Sequence, residues 1–351
     1  MKQAKMNYEI TERTFHFRRP AHTSRGCYTT LLSRFVTLSE GEARGTGECS
    51  VLPDLSCDAL PPQQYMKILE EAAQVVAVTG RVPVEMLRPY PSILFGLETA
   101  LYNLKLAGGK KTGGKKTGLC PPSPISVPIN GLVWMGTFDE MMQRLEEKLS
   151  QGFRCVKLKI GAIDWERERT LIAHIRHRYS ADQVEIRVDA NGGFKTSEAM
   201  QRLEELAGYQ IHSIEQPIRQ GQWSEMAALC AASSLPIALD EELIGINDLD
   251  EKARLLDTIR PQYIVLKPSL HGGMTGTREW VELARERGIG SWVTSALESN
   301  VGLQAVARLA VEIYGPDVSF PQGLGTGALY TDNIDLPLEI RGDRLCFSAI
   351  F

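Results

Sequence analysis

VKLKI at 156–160, EIRVDAN at 185–191, SIEQP at 213–217, PIALDE at 236–241 and YIVLKPS at 263–269 are five short apolar runs, each with a β-branched residue, and their reading decides the fold. Successive side chains of a strand point to opposite faces, so Val156, Leu158 and Ile160 share one face while Lys157 and Lys159 share the other. The split recurs: Ile186 and Val188 oppose Arg187, Asp189 and Asn191; Ile214 opposes Glu215; Ile237 and Leu239 oppose Asp240; Ile264 and Leu266 oppose Lys267. An open sheet covered by helices on both sides wants apolar residues on both faces, whereas a barrel packs one face outward and gathers polar groups at its interior mouth. The pattern predicts a β/α barrel, of class α/β.

Spacing agrees with this. Lys159 to Asp189 is 30 residues, Asp189 to Glu215 is 26, Glu215 to Asp240 is 25 and Asp240 to Lys267 is 27, one βα unit each. All five groups then sit near the C-terminal ends of consecutive strands, the rim where barrel enzymes place their chemistry. Three ionised carboxylates gathered inside a barrel repel one another unless a cation lies among them. Asp189, Glu215 and Asp240, an all-oxygen set without His or Cys, favour Mg²⁺, with Mn²⁺ possible, over zinc. Asn191 shares the face of Asp189 and would support the ligands; Arg187, one pleat deeper, would neutralise and orient the carboxylates from below. Lys157 and Lys159 approach from the strand before the acids and Lys267 from the strand after. A free lysine is protonated at pH 7, but a second ammonium on the same face and a nearby metal both favour the neutral amine that a base requires. Such a set can abstract a proton next to a carboxylate and stabilise the enediolate that forms.

Outward from the strands, 351 residues are enough for a barrel of about 250 residues plus a further domain. Residues 1–120 read as an α+β domain: Tyr28–Leu38 alternates, while Pro62–Val78 and Ser92–Ala107 carry apolar residues at helical spacing. It ends in GGKKTGGKKTG, 108–118, a repeat that buries nothing apolar and is expected to be a mobile, solvated loop. The barrel is expected over 121–325, with 326–351 as a C-terminal segment packing back on the first domain. A net charge of −4 gives no reason to expect nucleic acid or an anionic membrane as partner, which leaves a small-molecule carboxylate substrate and does not decide whether the chain forms a homo-oligomer. Seven scattered cysteines without a CxxC pair signal neither a disulfide framework nor structural zinc. With no apolar run of signal-peptide or membrane-span length, the expected location is cytoplasmic.

The ordered set K-x-K, D, E, D, K resembles that of the enolase superfamily, in particular the muconate-cycloisomerase-like branch with K-x-K on the second barrel strand and lysine on the sixth. GTGECSVLPDLS (45–56) and PSILFGLETALYNL (91–104) look like that family's capping domain, and PAHTSRG (20–26) like its loop over the active site. The resemblance implies a modified TIM barrel, (β/α)7β, with the first domain as a specificity lid. SALESNVGL (295–303) and PQGLGTGALYTDN (321–333) look most like the o-succinylbenzoate synthases of menaquinone biosynthesis. That likeness implies a Mg²⁺-dependent lyase in which Lys159 moves the proton, Lys267 stays charged on the opposite face and Lys157 holds the substrate carboxylate. It further implies that Thr23, Arg25, Ser295, Gly323 and Thr326 meet substrate and that Glu298 supports a lysine. Racemases, dipeptide epimerases and muconate cycloisomerases share the same machinery and remain alternatives, as does, in another class, a non-catalytic barrel scaffold.

Overall fold

The computed structural model describes residues 6–22, 26–109, 125–161 and 163–348. The expected lid residues Thr23 and Arg25, and the repeat over 110–118, lie outside them.

The first domain opens with an antiparallel sheet of β1 (Asn7–His22), β2 (Cys27–Glu40) and β3 (Ala43–Ser50), β2 and β3 joined through a turn in which Gly41 takes φ +60°. Three helices follow: α1 (Pro62–Thr79), α2 (Val84–Leu87) and α3 (Pro91–Gly109). Pro62 opens α1 where a missing N–H costs nothing, and Gly80, left-handed at φ +68°, closes it. The glycines of GTG in β3 let α3 lie directly on the strand: a Cβ on Gly45 would come 2.7 Å from Leu104 Cα, and one on Gly47 would overlap the Gly96 carbonyl.

The second domain alternates β5 (Gly131–Val133), α4 (Phe138–Ser150), β6 (Cys155–Lys159), α5 (Trp165–Arg178), β7 (Glu185–Asp189), α6 (Thr196–Ala207), β8 (Ser213–Glu215), α7 (Trp223–Ala232), β9 (Ile237–Leu239), α8 (Leu249–Ile259), β10 (Tyr263–Leu266), α9 (Gly273–Glu286), β11 (Gly290–Val293) and α10 (Asn300–Tyr314). The seven strands form one parallel sheet in chain order. Residues 322–323 close it as an eighth: Gln322 N–H donates to the Pro128 carbonyl at 2.8 Å, and Gly323 N–H to Val293 at 2.9 Å. Seven βα units and a final strand make the (β/α)7β barrel. Its outer face buries the residues that parity assigns to it, Val156, Leu158, Ile186, Val188, Ile214, Ile237, Leu239, Ile264 and Leu266, against the surrounding helices.

Inside, the N-terminal end is plugged by Ala238, Val265 and Trp292, with Tyr263 against them. Arg187 belongs to this plug, which corrects the expectation that it braces the carboxylates. It lies 4.4 Å from the Trp292 ring centroid, pairs with Glu185 at 2.7 Å and donates to the Pro321 carbonyl at 3.0 Å. One pleat below Asp189 is deep enough for the aromatic layer to capture the guanidinium.

After the barrel, β12 (Leu338–Arg341) and β13 (Arg344–Phe347) pair antiparallel with each other, and β13 with β4 (Ile125–Pro128). The chain before them runs along β1, with Arg18 N–H bonded to Leu329, Thr331 N–H to His16 and the rings of Phe17 and Tyr330 4.5 Å apart. Among the described residues no helix is long and apolar enough to cross a membrane.

Candidate active site

Strand register sets the site. Lys159 pairs with Asp189 and Asp189 with Glu215, so three charged residues form one row across β6, β7 and β8. Asp240 and Lys267 follow directly on the ends of β9 and β10. Asp189 and Asp240 are fully buried, and Glu215 nearly so.

The amines and acids interlock. Lys157 Nζ reaches both oxygens of Glu215 at 2.9 and 2.8 Å and Asp189 Oδ2 at 2.9 Å. Lys159 Nζ donates to Asp189 Oδ2 at 2.8 Å and Asn191 Oδ1 at 2.7 Å. Lys267 Nζ is in short contact with Asp240 Oδ2. Sequence reasoning missed Glu241, which is buried and accepts from Asn191 Nδ2 at 2.9 Å, so that Asn191 spans Lys159 and Glu241. It also missed Gln216, whose amide oxygen accepts the Asp240 N–H at 3.2 Å. The sequence signal for both is a second polar residue immediately after each strand-end acid, in EQ and DE. Asn191 and Gln216 adopt φ of +45° and +41°, uncommon for residues with a side chain and a form of backbone strain that gathers at functional sites.

Electrostatics divide the acids. Burial pushes the Asp189 carboxyl up, but Lys157 and Lys159 together pull it well below the usual carboxylate range. Burial and the Asp189 charge push Glu215 up to about 8 against the pull of Lys157. Burial also raises Asp240, with Lys267 opposing and Glu241 adding to the rise, and it raises Glu241. Burial works against the Lys267 ammonium, yet Asp240, Glu215 and Glu241 carry it to about 12, and Lys157 is raised by Asp189, Glu215 and Asp240 in the same way.

Four buried carboxyls thus face three amines, and the fit to a divalent cation shows in what is left over. Asp240 Oδ1 and Glu241 Oε2 are buried without a hydrogen-bond partner, a costly state for carboxylate oxygens that a cation relieves. Among the described residues no three His, Cys, Asp or Glu side chains already stand as a ready ligand shell. The lysines account for this: Lys157 sits between Asp189 and Glu215, and Lys267 holds Asp240. A metal would enter by displacing ammonium groups.

Over this charge layer lies a cavity walled by Leu52 and Leu55 of the first domain, Asn130, Trp134, Ser295 and Thr326. Lys157, Lys159, Lys267 and Gly323 also border it. The Thr326 hydroxyl is buried and unpartnered, so it is available to a polar ligand. Ser295 instead donates to Glu298 at 2.6 Å, and Glu298 also accepts from Ser269 at 2.5 Å and from the Ala296 N–H at 2.7 Å. Glu298 is therefore a brace between the loops after β10 and β11, not the lysine partner expected.

The family model described as enolase C-terminal domain-like matches residues 140–340. An o-succinylbenzoate synthase of Desulfotalea psychrophila is 45% identical over 360 aligned positions, covering 94% of this chain and 95% of that protein. A crystal structure of MenC from the same organism superposes with a TM-score of 0.76 at 40% identity, covering 97% of this chain and 99% of that one. A substrate-liganded L-Ala-D/L-Glu epimerase of Bacillus subtilis superposes with a TM-score of 0.79 at 20% identity, over 98% and 96% of the two chains, a likeness of fold alone.

Proposed function

Because this chain belongs to the enolase superfamily, we propose that it is an o-succinylbenzoate synthase: a lyase that removes water from 2-succinyl-6-hydroxy-2,4-cyclohexadiene-1-carboxylate to give aromatic o-succinylbenzoate in menaquinone biosynthesis. The observation that carries the reading is the 45% identity over nearly the full length. The Lys159, Asp189, Glu215 row facing Lys267 and Asp240 supports it.

Superfamily members generally use Mg²⁺, and Asp189, Glu215 and Asp240 would hold it here, where it supplies Lewis-acid stabilisation of charge on the substrate carboxylate. Lys159, steadied by Asn191 at 2.7 Å, takes the proton α to that carboxylate. The C–O bond to the ring hydroxyl then breaks, and Lys159 returns the proton to the departing oxygen on the same face, so that one water leaves. Lys267, bordering the cavity beside Asp240, stays charged and stabilises the enediolate from the opposite face. Lys157, bordering the cavity, orients the substrate carboxylate, while the unpartnered Thr326 hydroxyl is the contact for the succinyl arm. Free described cysteines accord with a cytoplasmic enzyme acting on a small molecule.

An ultraviolet assay for aromatic product from the purified cyclohexadiene substrate tests this: turnover that requires Mg²⁺ and stops on chelation supports it, and absence of turnover refutes it. Lys159 and Lys267 both border the cavity, which favours racemisation of N-acylamino acids as the second reading. Deuterium entering the α-position of both enantiomers from D₂O would mark that activity.

A further inference from the structure

Lys267 stands on a loop that two groups hold from opposite ends, and neither of them borders the cavity. Within the loop, His271 is fully buried and its Nδ1 accepts the backbone N–H of Lys267 at 2.9 Å. The Lys267 carbonyl accepts the N–H groups of Leu270 and His271 at 2.8 and 2.9 Å, so backbone and imidazole together close a single turn. An accepting Nδ1 puts the ring proton on Nε2, and burial, with Lys267 and Lys252 nearby, keeps the ring uncharged by holding it well below the usual histidine range.

At its other end the loop enters α9 through Gly272 and Gly273. The second and third N–H groups of that helix, on Met274 and Thr275, donate to Glu98 of α3 at 2.6 and 3.1 Å, and the Thr275 hydroxyl adds a further bond. Gly273, left-handed at φ +70°, makes this approach possible: a Cβ there would overlap Glu98 Oε2 and come 2.8 Å from Leu94 Cγ. The first domain therefore grips the helix that continues the Lys267 loop.

We infer that His271 and Glu98 are positioning residues for Lys267, His271 by fixing its backbone and Glu98 by docking the end of its loop on the capping domain. The inference rests on the proposed role of Lys267 as the charge facing the enediolate. A misplacement of about 1 Å can cost roughly a hundredfold in rate, while ground-state binding through the carboxylate end of the substrate is untouched. The loss therefore falls on kcat and not on KM.

The test compares kcat and KM of wild type, His271→Leu, His271→Asn and Glu98→Gln with the cyclohexadiene carboxylate and Mg²⁺, alongside the ¹⁵N spectrum of the wild-type histidines. The expected result is a drop in kcat of about tenfold or more for His271→Leu with KM within about twofold. His271→Asn, whose Oδ1 takes the place of Nδ1, should recover to within about threefold of wild type, and Glu98→Gln should lower kcat by about threefold or more. A folded His271→Leu with kcat within about twofold of wild type, or an Asn variant as slow as Leu, overturns the inference. Should His271→Leu fail to fold, Glu98→Gln decides by the same criterion. The ¹⁵N spectrum is expected to show the Nε2–H tautomer; Nδ1–H would refute the latch alone, whereas a wild type without turnover refutes the proposed function and the role of Lys267 with it.

Discussion

Glu48 joins the two domains, and its removal has a calculable cost. It is fully buried on β3 and accepts the Ser299 N–H at 3.0 Å, the Ser299 hydroxyl at 2.6 Å and the Gly302 N–H at 3.0 Å, all from the first turn of α10. Glu48→Ala leaves two backbone donors buried without an acceptor, at about 1–3 kcal/mol each. The hydroxyl can turn elsewhere. Burial pushes the Glu48 carboxyl up and the Ser299 bonds pull it back only in part, so removing the charge returns some of this, and the expected loss is about 2–5 kcal/mol. With an unfolding entropy of about 2.1 cal/mol/K per residue over 351 residues, that lowers Tm by roughly 3–7 °C. Thermal melting followed by circular dichroism, with the exposed Glu70→Ala on α1 as control, measures it. Glu48→Gln, which retains one acceptor, should lose less than half as much. An Ala variant melting within about 1 °C of the control would show that the joint contributes nothing and refute the reasoning.

Asp58 predicts a pH effect. It is buried, accepts from the Ser92 N–H at 2.9 Å, and is raised to about 6 by burial against the pull of Ser92. Because the folded value lies above the unfolded one, the native state binds more protons between pH 4 and 6, and stability from this group is lost as pH rises through that window. Asp58→Asn should therefore gain on wild type by about 2–3 kcal/mol between pH 4 and 7 in urea titrations; a constant gap would contradict the assignment. Arg187→Met should destabilise by about 1–3 kcal/mol through the lost Trp292 and Pro321 contacts yet leave Mg²⁺ affinity, measured by calorimetry, within about twofold. A large loss of affinity would return Arg187 to the carboxylates.

The barrel was legible because parity within VKLKI, EIRVD and PIALD exposes both faces of each strand, and the βα spacing places the charged ends on one rim. What parity cannot show is depth and competition. Arg187 shares a face with Asp189, but whether a guanidinium rises to acids or sinks onto an aromatic depends on Trp292, a hundred residues away in sequence. Glu298 is similar: its partners Ser269 and Ser295 lie on two loops whose approach follows only from barrel closure. The burial of Glu241 and of the loop residue His271 is not legible, because local sequence does not distinguish a loop residue that turns inward from one that faces solvent.

The central claim is that Lys159 carries the proton in a dehydration supported by the buried acids. Its most direct test is single-turnover aromatisation by Lys159→Ala at saturating Mg²⁺, with and without added methylamine. A fall of roughly a thousandfold or more, with folding intact and partial recovery as the amine is added, is the expected result. A variant that still forms o-succinylbenzoate within about tenfold of the wild-type rate would mean that another group moves the proton.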